Sequence, residues 1–151
     1  MILVDANVLI ALVDPRQTLH PAATADLKKL PGADLLVAAP VLSEVCHLLP
    51  AAHHRARTRE LIGALHLHPP AIPDDVHVWN EVFDWLARYA EHEPDWADAY
   101  LAVLCGRDKR LKVWTYDSEF RTVWRRPDGS RIPLAGKATP RGSSSSLPVA
   151  P

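Results

Sequence analysis

The chain has 151 residues, of which 48% are apolar and 23% are charged, and its formal net charge is −1. This size and composition are typical of one globular domain, and every apolar run is far shorter than the ~20 residues that span a bilayer. A charge so close to neutral excludes a protein that coats nucleic acid through bulk positive charge. Because no basic segment precedes an apolar one at the start, we predict no signal peptide. We interpret Cys46 and Cys105 as reduced thiols of a cytoplasmic protein.

Short apolar runs alternate with longer amphipathic segments, and Pro or Gly residues separate many of them. In chain order we predict a strand (2–5), helices (8–13 and 20–30), a strand (35–38), helices (40–49 and 55–65), a strand (65–68), helices (74–92 and 94–107) and strands (111–115 and 131–134). This alternation indicates an α/β fold with a parallel sheet covered on both faces. We assign residues 1–134 to the domain and predict a disordered tail over residues 135–151, which include four consecutive serines.

Asp5 ends the first predicted strand and interrupts an apolar sequence that resumes at Val8. Ligands of open α/β sheets gather at the carboxyl ends of the strands, so an acid at this point occupies a typical site position. The alternative is purely structural, because Asp5 or Asn7 would also serve as the N-cap of the helix that follows.

Glu44 lies within the predicted helix PVLSEVCHLL. Val41 precedes it by three residues and Leu48 follows by four, so the three side chains share one helix face. If that face packs on the sheet, Glu44 needs a cation or a hydrogen-bond network, because glutamate is rarely buried without a partner. The alternative is a helix rotated far enough to expose Glu44 at the edge of the apolar stripe.

Three more acids follow the same pattern in EPDWADAYLAVLC and KVWTYDSEF. Asp95 falls in the first helical turn, where negative charge is favoured, but Asp98 lies deeper, on the same helix face as Asp95. Asp117 follows a predicted strand, and Thr115 points to the same side if the strand extends that far. A turn or helix cap is the structural alternative for Asp117.

The sheet edge is a place where these acids can converge. Asp5, Glu44, Asp98 and Asp117 would form the centre, with Asp95 at the rim. Such a cluster cannot stay ionised without cations, and a set of hard oxygen ligands suits Mg²⁺ or Mn²⁺. Two such ions ~4 Å apart could activate water and stabilise the leaving oxygen in phosphodiester hydrolysis.

The segments ILVDANVLIAL, PVLSEVCHLL, PDWADAYLAVL and VWTYDSEFRTVWR occur in the order and spacing found in PIN-domain proteins. The chain resembles a VapC-type toxin of a type II toxin–antitoxin pair over residues 1–134. The resemblance implies a three-layer α/β/α sandwich with a mostly parallel sheet of four or five strands. It implies one or two Mg²⁺ or Mn²⁺ ions per site. The implied metal ligands are Asp5, Glu44, Asp98 and Asp117, the implied additional acid is Asp95, and the implied supporting polar residues are Asn7 and Thr115.

The resemblance also implies a function and partners. The chain would be a metal-dependent endoribonuclease that hydrolyses RNA with a metal-activated water, in the cytoplasm of a bacterium or archaeon. It would form a homodimer and bind a VapB-like antitoxin protein. Residues 107–131 carry eight basic and four acidic side chains, a net charge of +4. Candidate RNA-binding residues in this segment are Arg107, Arg110, Arg121, Arg125 and Arg126.

Two other functions stay open. One is an aspartyl phosphotransferase or phosphatase with Asp5 as its nucleophile, but such sites usually carry a second acid two residues later, where this chain has Asn7. The other is a non-catalytic PIN-like module whose acids are structural and which sequesters a partner protein. A zinc site is disfavoured, because His53-His54 and His66-x-His68 lack further ligands nearby.

Trp79, Phe83 and Leu86 recur at i, i+4 and i+7 in the predicted helix 74–92. Tryptophan rings can stack on bases, but this spacing favours an apolar helix face. We therefore expect these three side chains to belong to the core or to a dimer interface.

Overall fold

The structure is a computed structural model that describes residues 1–136. Its sheet has the strands β1 (Ile2–Val4), β2 (Leu35–Leu36) and β3 (Lys112–Trp114) in the order β2-β1-β3, and both pairings are parallel. All three residues of β1 are buried. A central parallel strand reads as a continuous apolar run for this reason, since neither of its faces meets water.

The prediction of four or five strands is wrong for residues 1–136, where the sheet has three. His68 and Leu134, from the two remaining predicted strands, each make one isolated parallel bridge to an edge of the sheet. Pro70 stands two residues after His68, where the next N–H would face β2, and Pro133 precedes Leu134; proline has no N–H to donate to a ladder. The α/β class is confirmed, while the three-layer arrangement stays a prediction.

Helices connect and surround these strands within the described residues. They are α1 (Ala6–Val13), α2 (His20–Leu27), α3 (Ala39–Leu48), α4 (Ala52–Ala64), α5 (Val76–Arg88), α6 (Trp96–Arg107) and α7 (Glu119–Thr122). The first six confirm predicted helices, and the end of the predicted helix 74–92 is a separate 3-10 turn at Ala90–His92. The sequence did not indicate α7, because one turn is too short to show a helical period.

The helix α6 has the longest unbroken run of buried residues among the described helices. Every residue from Ala99 to Cys105 is buried, as expected for a helix that is apolar on all sides. It packs against α3 and α5, while α1 packs against α2, α3 and α4. The start of α6, which carries two of the candidate acids, is therefore held firmly by its neighbours.

A close contact at the end of α6 leads to a testable prediction about packing. A Cβ added to Gly106 would lie 2.7 Å from Cδ of Pro127, whereas a Cβ on Gly63 in α4 meets nothing within 4 Å. We expect Gly106→Ala to lower the free energy of unfolding by about 1–3 kcal/mol, because the proline ring cannot yield easily. Gly63→Ala should instead raise it by about 0.5–1 kcal/mol. Urea denaturation of both variants measures this, and a stabilised Gly106→Ala protein would contradict the packing described.

Three further sequence predictions concern the membrane, the thiols and the tail. No helix within residues 1–136 is long and apolar enough to cross a membrane. Cys46 and Cys105 are both free, and burial raises the pKa of the Cys105 thiol to about 12. The predicted tail, residues 135–151, lies outside the described residues except for its first two positions.

Candidate functional site

The candidate acids come from four segments of the fold. Asp5 follows β1, Glu44 lies in α3, Asp95 and Asp98 begin α6, and Asp117 follows β3. Because β1 and β3 are adjacent and parallel, Asp5 and Asp117 leave the sheet at the same edge.

Asp5, a candidate site residue, is also the N-cap of α1. Its side chain is only 4% exposed, and its Oδ1 accepts a hydrogen bond from the Ala6 N–H at 2.8 Å. Its Oδ2 accepts from the Thr115 hydroxyl at 2.7 Å and from Nδ2 of Asn7 at 3.3 Å. A carboxylate offers about four lone-pair positions, so these three bonds leave about one, on Oδ1, for a further ligand.

Thr115 is the centre of the hydrogen-bond network around Asp5. Its hydroxyl donates to Asp5 and accepts from Nδ2 of Asn7 at 3.1 Å and from the Asp117 N–H at 3.0 Å. Oδ1 of Asn7 accepts from the Tyr116 N–H at 3.0 Å. These two side chains therefore tie the end of β1 to the end of β3, and they set Asp5 relative to Asp117.

Asp95 and Asp98 form a capping box at the start of α6. The Asp98 N–H donates to Oδ1 of Asp95 at 2.8 Å, and the Asp95 N–H donates to Oδ2 of Asp98 at 3.3 Å. Asp95 is exposed and Asp98 is half-buried. Burial and then the charges of Asp95, Asp5 and Asp117 raise the pKa of Asp98. Asp98 therefore lies within electrostatic reach of the other three aspartates.

Glu44 lies at the edge of its apolar stripe, as the alternative interpretation expected. Val41 is fully buried but Leu48 is 54% exposed, so the prediction that all three side chains share a buried face is wrong. Glu44 itself is half-buried and receives no hydrogen bond from another residue of the range 1–136. Burial, followed by the charges of Asp95 and Asp5, raises its pKa to about 7.

A cleft of about 450 Å³ opens beside Glu44 and Asp95. Ser43 and Trp96 also line it, although sequence reasoning did not select them. Their closeness in sequence to the candidate acids could have indicated them, since Ser43 precedes Glu44 and Trp96 lies between Asp95 and Asp98. Asp5, Asp98 and Asp117 do not line this cleft, although the charge of Asp95, which does, helps to raise the pKa of Asp5 and of Asp98.

The donor set fits a hard divalent cation, because all of the candidate ligands are carboxylate oxygens. Within residues 1–136, however, no three Asp, Glu, His or Cys side chains form a ready-made metal site. Several of the carboxylates are engaged by backbone instead: Oδ2 of Asp98 accepts from Asp95, and Oδ1 of Asp117 accepts from the Glu119 N–H at 2.9 Å. The repulsion that raises the pKa of Asp98 and Glu44 is the feature that a cation would relieve.

These charges make the stability of the ion-free protein depend on pH. The pKa of Asp5 is raised to about 6, chiefly by burial and against hydrogen bonds from Thr115 and Ala6, and that of Glu44 is raised to about 7. Both groups titrate near pH ~4 in an unfolded chain. The folded protein therefore holds more protons between about pH 4 and pH 7, and its stability should fall as the pH rises through this window. Thermal denaturation in chelator at a series of pH values measures the slope.

The matched variant for this measurement is Glu44→Gln, which removes one of the raised groups. Its stability should fall less steeply with pH than that of the wild type. His68, whose pKa is raised by Asp34, titrates alike in both proteins and cancels in the comparison. Mg²⁺ should raise the melting temperature more at about pH 8 than at about pH 5, since it binds the ionised form. Equal slopes for the two proteins would contradict the electrostatic coupling.

The structure does not bring Arg107 and Arg110 to the acids. Arg107 ends α6, nine residues beyond Asp98 and so ~13 Å along the helix, and it pairs with Glu81. Arg110 precedes β3 and pairs with Asp108. Both therefore lie towards the end of the sheet opposite the carboxylates.

The other three candidate arginines follow Asp117 in the chain. Arg121 is exposed in α7, and Arg125 donates to the carbonyl oxygens of Arg121 and Trp124. Arg126 donates to Oγ of Ser130 at 3.3 Å. Arg121 is thus the candidate that the chain places nearest to Asp117 in sequence.

Comparisons with known proteins agree with this arrangement. A family model described as PIN domain matches residues 2–125, and the comparison with curated proteins gives no match. Among solved structures, the chain is similar to Mycobacterium tuberculosis VapC20, described as a sarcin–ricin loop cleaving toxin, with a TM-score of 0.67. The two sequences are 21% identical, and the similarity covers 81% of this chain and 94% of that one. The likeness to VapC20 shows a shared fold, and the family match, which covers well over half of the sequence, shows that the chain belongs to the PIN domain family.

Proposed function

We propose that this protein is a metal-dependent endoribonuclease and the toxin of a toxin–antitoxin pair. The observation that supports this most strongly is the set of mutually interacting carboxylates at one edge of a PIN-domain sheet. The fold shared with VapC20, which is described as a toxin that cleaves the sarcin–ricin loop, supports an RNA substrate.

The proposed ligands of one or two Mg²⁺ or Mn²⁺ ions are Asp5, Glu44, Asp98 and Asp117. A bound divalent ion supplies a nucleophilic water at neutral pH and stabilises the charge that develops on the phosphate oxygens. Thr115 and Asn7 hold Asp5 in one orientation through the bonds described above.

Asp95 has a separate role in this proposal. It is exposed at the rim, and its Oδ1 is occupied by the Asp98 N–H. Its Oδ2 receives no hydrogen bond from the other residues of the described chain, so this oxygen is placed to orient the attacking water and accept its proton. A positioned base of this kind contributes typically ~10²–10⁴-fold to the rate of hydrolysis.

The basic residues after Asp117 are the proposed contacts for the RNA backbone. Arg121 is the first choice among them, because it follows Asp117 by only four residues. Arg126 acts on the buried Cys105 near the far end of α6, the end at which Arg107 and Arg110 are engaged in ion pairs. Replacing an arginine that contacts one phosphate of single-stranded RNA should make the plot of log affinity against log salt concentration less steep by about 0.7.

The toxin role requires an antitoxin protein as a partner, and the family resemblance also implies a homodimer. Both stay predictions. Sedimentation velocity of the purified protein measures the oligomeric state directly, and a small antitoxin-like reading frame overlapping its gene would support the toxin role.

The experiment that tests the proposed function is RNA cleavage by the purified full chain. We expect cleavage of RNA with Mg²⁺ or Mn²⁺ and none after the addition of a chelator. Cleavage that ignores the chelator, or no cleavage of any cellular RNA with either ion, would overturn the proposal.

One observation favours a second candidate, a non-catalytic PIN-like binding module. Asp5, Asp95, Asp98 and Asp117 all accept hydrogen bonds from backbone N–H groups, so each has a structural role without any ion. The same cleavage experiment separates the two functions, because a binding module would leave the RNA intact. The phosphotransferase alternative gains no support, since Asn7 forms part of the network around Asp5 and supplies no second acid.

A further inference from the structure

An aromatic cleft, lined by Trp79, Phe83, Trp96 and Asp74, opens beside the cleft that holds Glu44. Its volume is about 550 Å³. The two clefts share Pro40, Ser43 and Trp96 as common walls. A ligand bound in the cleft beside Glu44 and Asp95 therefore lies next to these aromatic rings.

The rings of the aromatic cleft are exposed but held in place. Trp79 is 43% and Phe83 is 61% exposed, so these two side chains do not belong to the core, while the other predicted location, a dimer interface, stays a prediction. Nε1 of Trp79 donates to Oδ1 of Asp74 at 2.7 Å, and the Tyr100 hydroxyl donates to the same oxygen at 2.7 Å. The Phe83 and Trp96 rings meet edge to face with their centroids 5.0 Å apart. The cleft is thus preorganised by contacts on both of its sides.

The chemistry of the aromatic cleft suits a nucleobase better than a phosphate. Exposed aromatic rings stack on the π-face of any base. Oδ2 of Asp74 accepts no hydrogen bond from the rest of residues 1–136, and the bonds from Trp79 and Tyr100 hold the pKa of this carboxyl below its usual value. An ionised carboxylate accepts hydrogen bonds from the amino group of a base, and it repels a phosphate. Neither Lys nor Arg lines the cleft.

We propose that the aromatic cleft binds an unpaired nucleobase of the RNA, next to the phosphodiester presented to the carboxylates. This inference rests on the proposed function and adds a binding subsite to it. The shared wall favours a substrate base over a second copy of the chain, since a second copy seated on Trp96 and Ser43 would narrow the entrance to Glu44 and Asp95.

The first test compares two ligands of the same charge. We would titrate the full chain, in chelator, with a short oligocytidylate, whose bases carry the amino group, and with an abasic ribose–phosphate oligomer of equal length. The base-bearing oligomer should quench the fluorescence of the exposed tryptophans and bind roughly 5- to 100-fold more tightly. Equal affinity and no quenching would overturn the proposal without bearing on cleavage.

The second test uses the variants Phe83→Leu and Trp79→Leu, with Val76→Ala as the matched control. Val76 is 53% exposed on the same helix but does not line the cleft. The two cleft variants should lose the preference for the base-bearing oligomer and show a raised KM with an unchanged kcat, while the control keeps wild-type values. Phe83→Leu alone suffices if the tryptophan variant fails to fold, because Phe83 makes no hydrogen bond.

Sedimentation velocity on the same proteins distinguishes the competing occupant. If Phe83→Leu turns a dimer into a monomer and leaves the base preference intact, a second copy covers the cleft and the proposal is wrong. If the protein cleaves RNA but shows no preference for the base-bearing oligomer, the proposed subsite is wrong and the proposed function is supported. If the base preference is present without cleavage under any metal, the subsite stands and the nuclease function falls.

Discussion

Replacing Asp98 by Asn is expected to lower RNA cleavage about a thousandfold, which corresponds to ~4 kcal/mol of transition-state stabilisation. The change removes one proposed metal ligand charge but keeps an oxygen that can accept from the Asp95 N–H. Because burial and then the charges of Asp95, Asp5 and Asp117 raise the pKa of Asp98, a side chain that carries no charge should also raise the melting temperature. Loss of activity together with a gain in stability is a combination that misfolding cannot produce.

The control for this variant is Asp84→Asn, which removes an exposed carboxylate from α5. This helix carries none of the five candidate acids. The control should cleave RNA at the wild-type rate and melt at the wild-type temperature. Single-turnover cleavage with excess enzyme and a melting curve at about pH 7.5 measure both quantities. Wild-type activity of Asp98→Asn would remove this residue from the proposed site.

Thr115→Val is expected to lower cleavage by about 10- to 100-fold, the usual loss when a partner of a metal ligand is removed. The valine leaves Asp5, Asn7 and Asp117 each without one hydrogen bond. Because these groups are partly or fully buried, we also expect the free energy of unfolding to fall by about 1–3 kcal/mol.

Thr115→Ser is the matched control, since it restores the hydroxyl and lacks only the methyl group. It should recover most of the cleavage rate, and isothermal titration should show Mn²⁺ affinity close to that of the wild type. A Thr115→Val protein with unchanged Mn²⁺ affinity and rate would show that the network has no part in holding Asp5.

The order of helices and strands could be predicted from local sequence patterns. At several positions, however, these patterns do not decide the structure. The runs at residues 65–68 and 131–134 look like strands, but each makes only one bridge, and Pro70 and Pro133 remove the next ladder donors. Strand pairing depends on donors and partners that a local apolar run does not specify. The buried helix α6 was predictable because its apolar residues face all directions and leave no choice of face.

The sequence indicates which acids lie near one edge of the sheet but not how each of them is held there. Spacing places Glu44 on a face with Val41 and Leu48, yet only packing decides which part of that face is covered, and Leu48 is exposed. Likewise, the period of Trp79 and Phe83 indicates an apolar face without indicating what covers it. For Asp5 the two interpretations, a cap and a site residue, were treated as alternatives, and the structure shows that the cap is real and compatible with the other role.

The helix caps of this site have a consequence for folding. Asp5 caps α1, and Asp95 and Asp98 cap α6, so the N-terminal ends of two helices direct their partial positive charge at the carboxylates. Each such end is equivalent to roughly half an elementary charge. The two helix ends thus offset part of the negative charge at the acidic edge of the sheet. We therefore expect the chain to be folded in the presence of a chelator, with no cation bound.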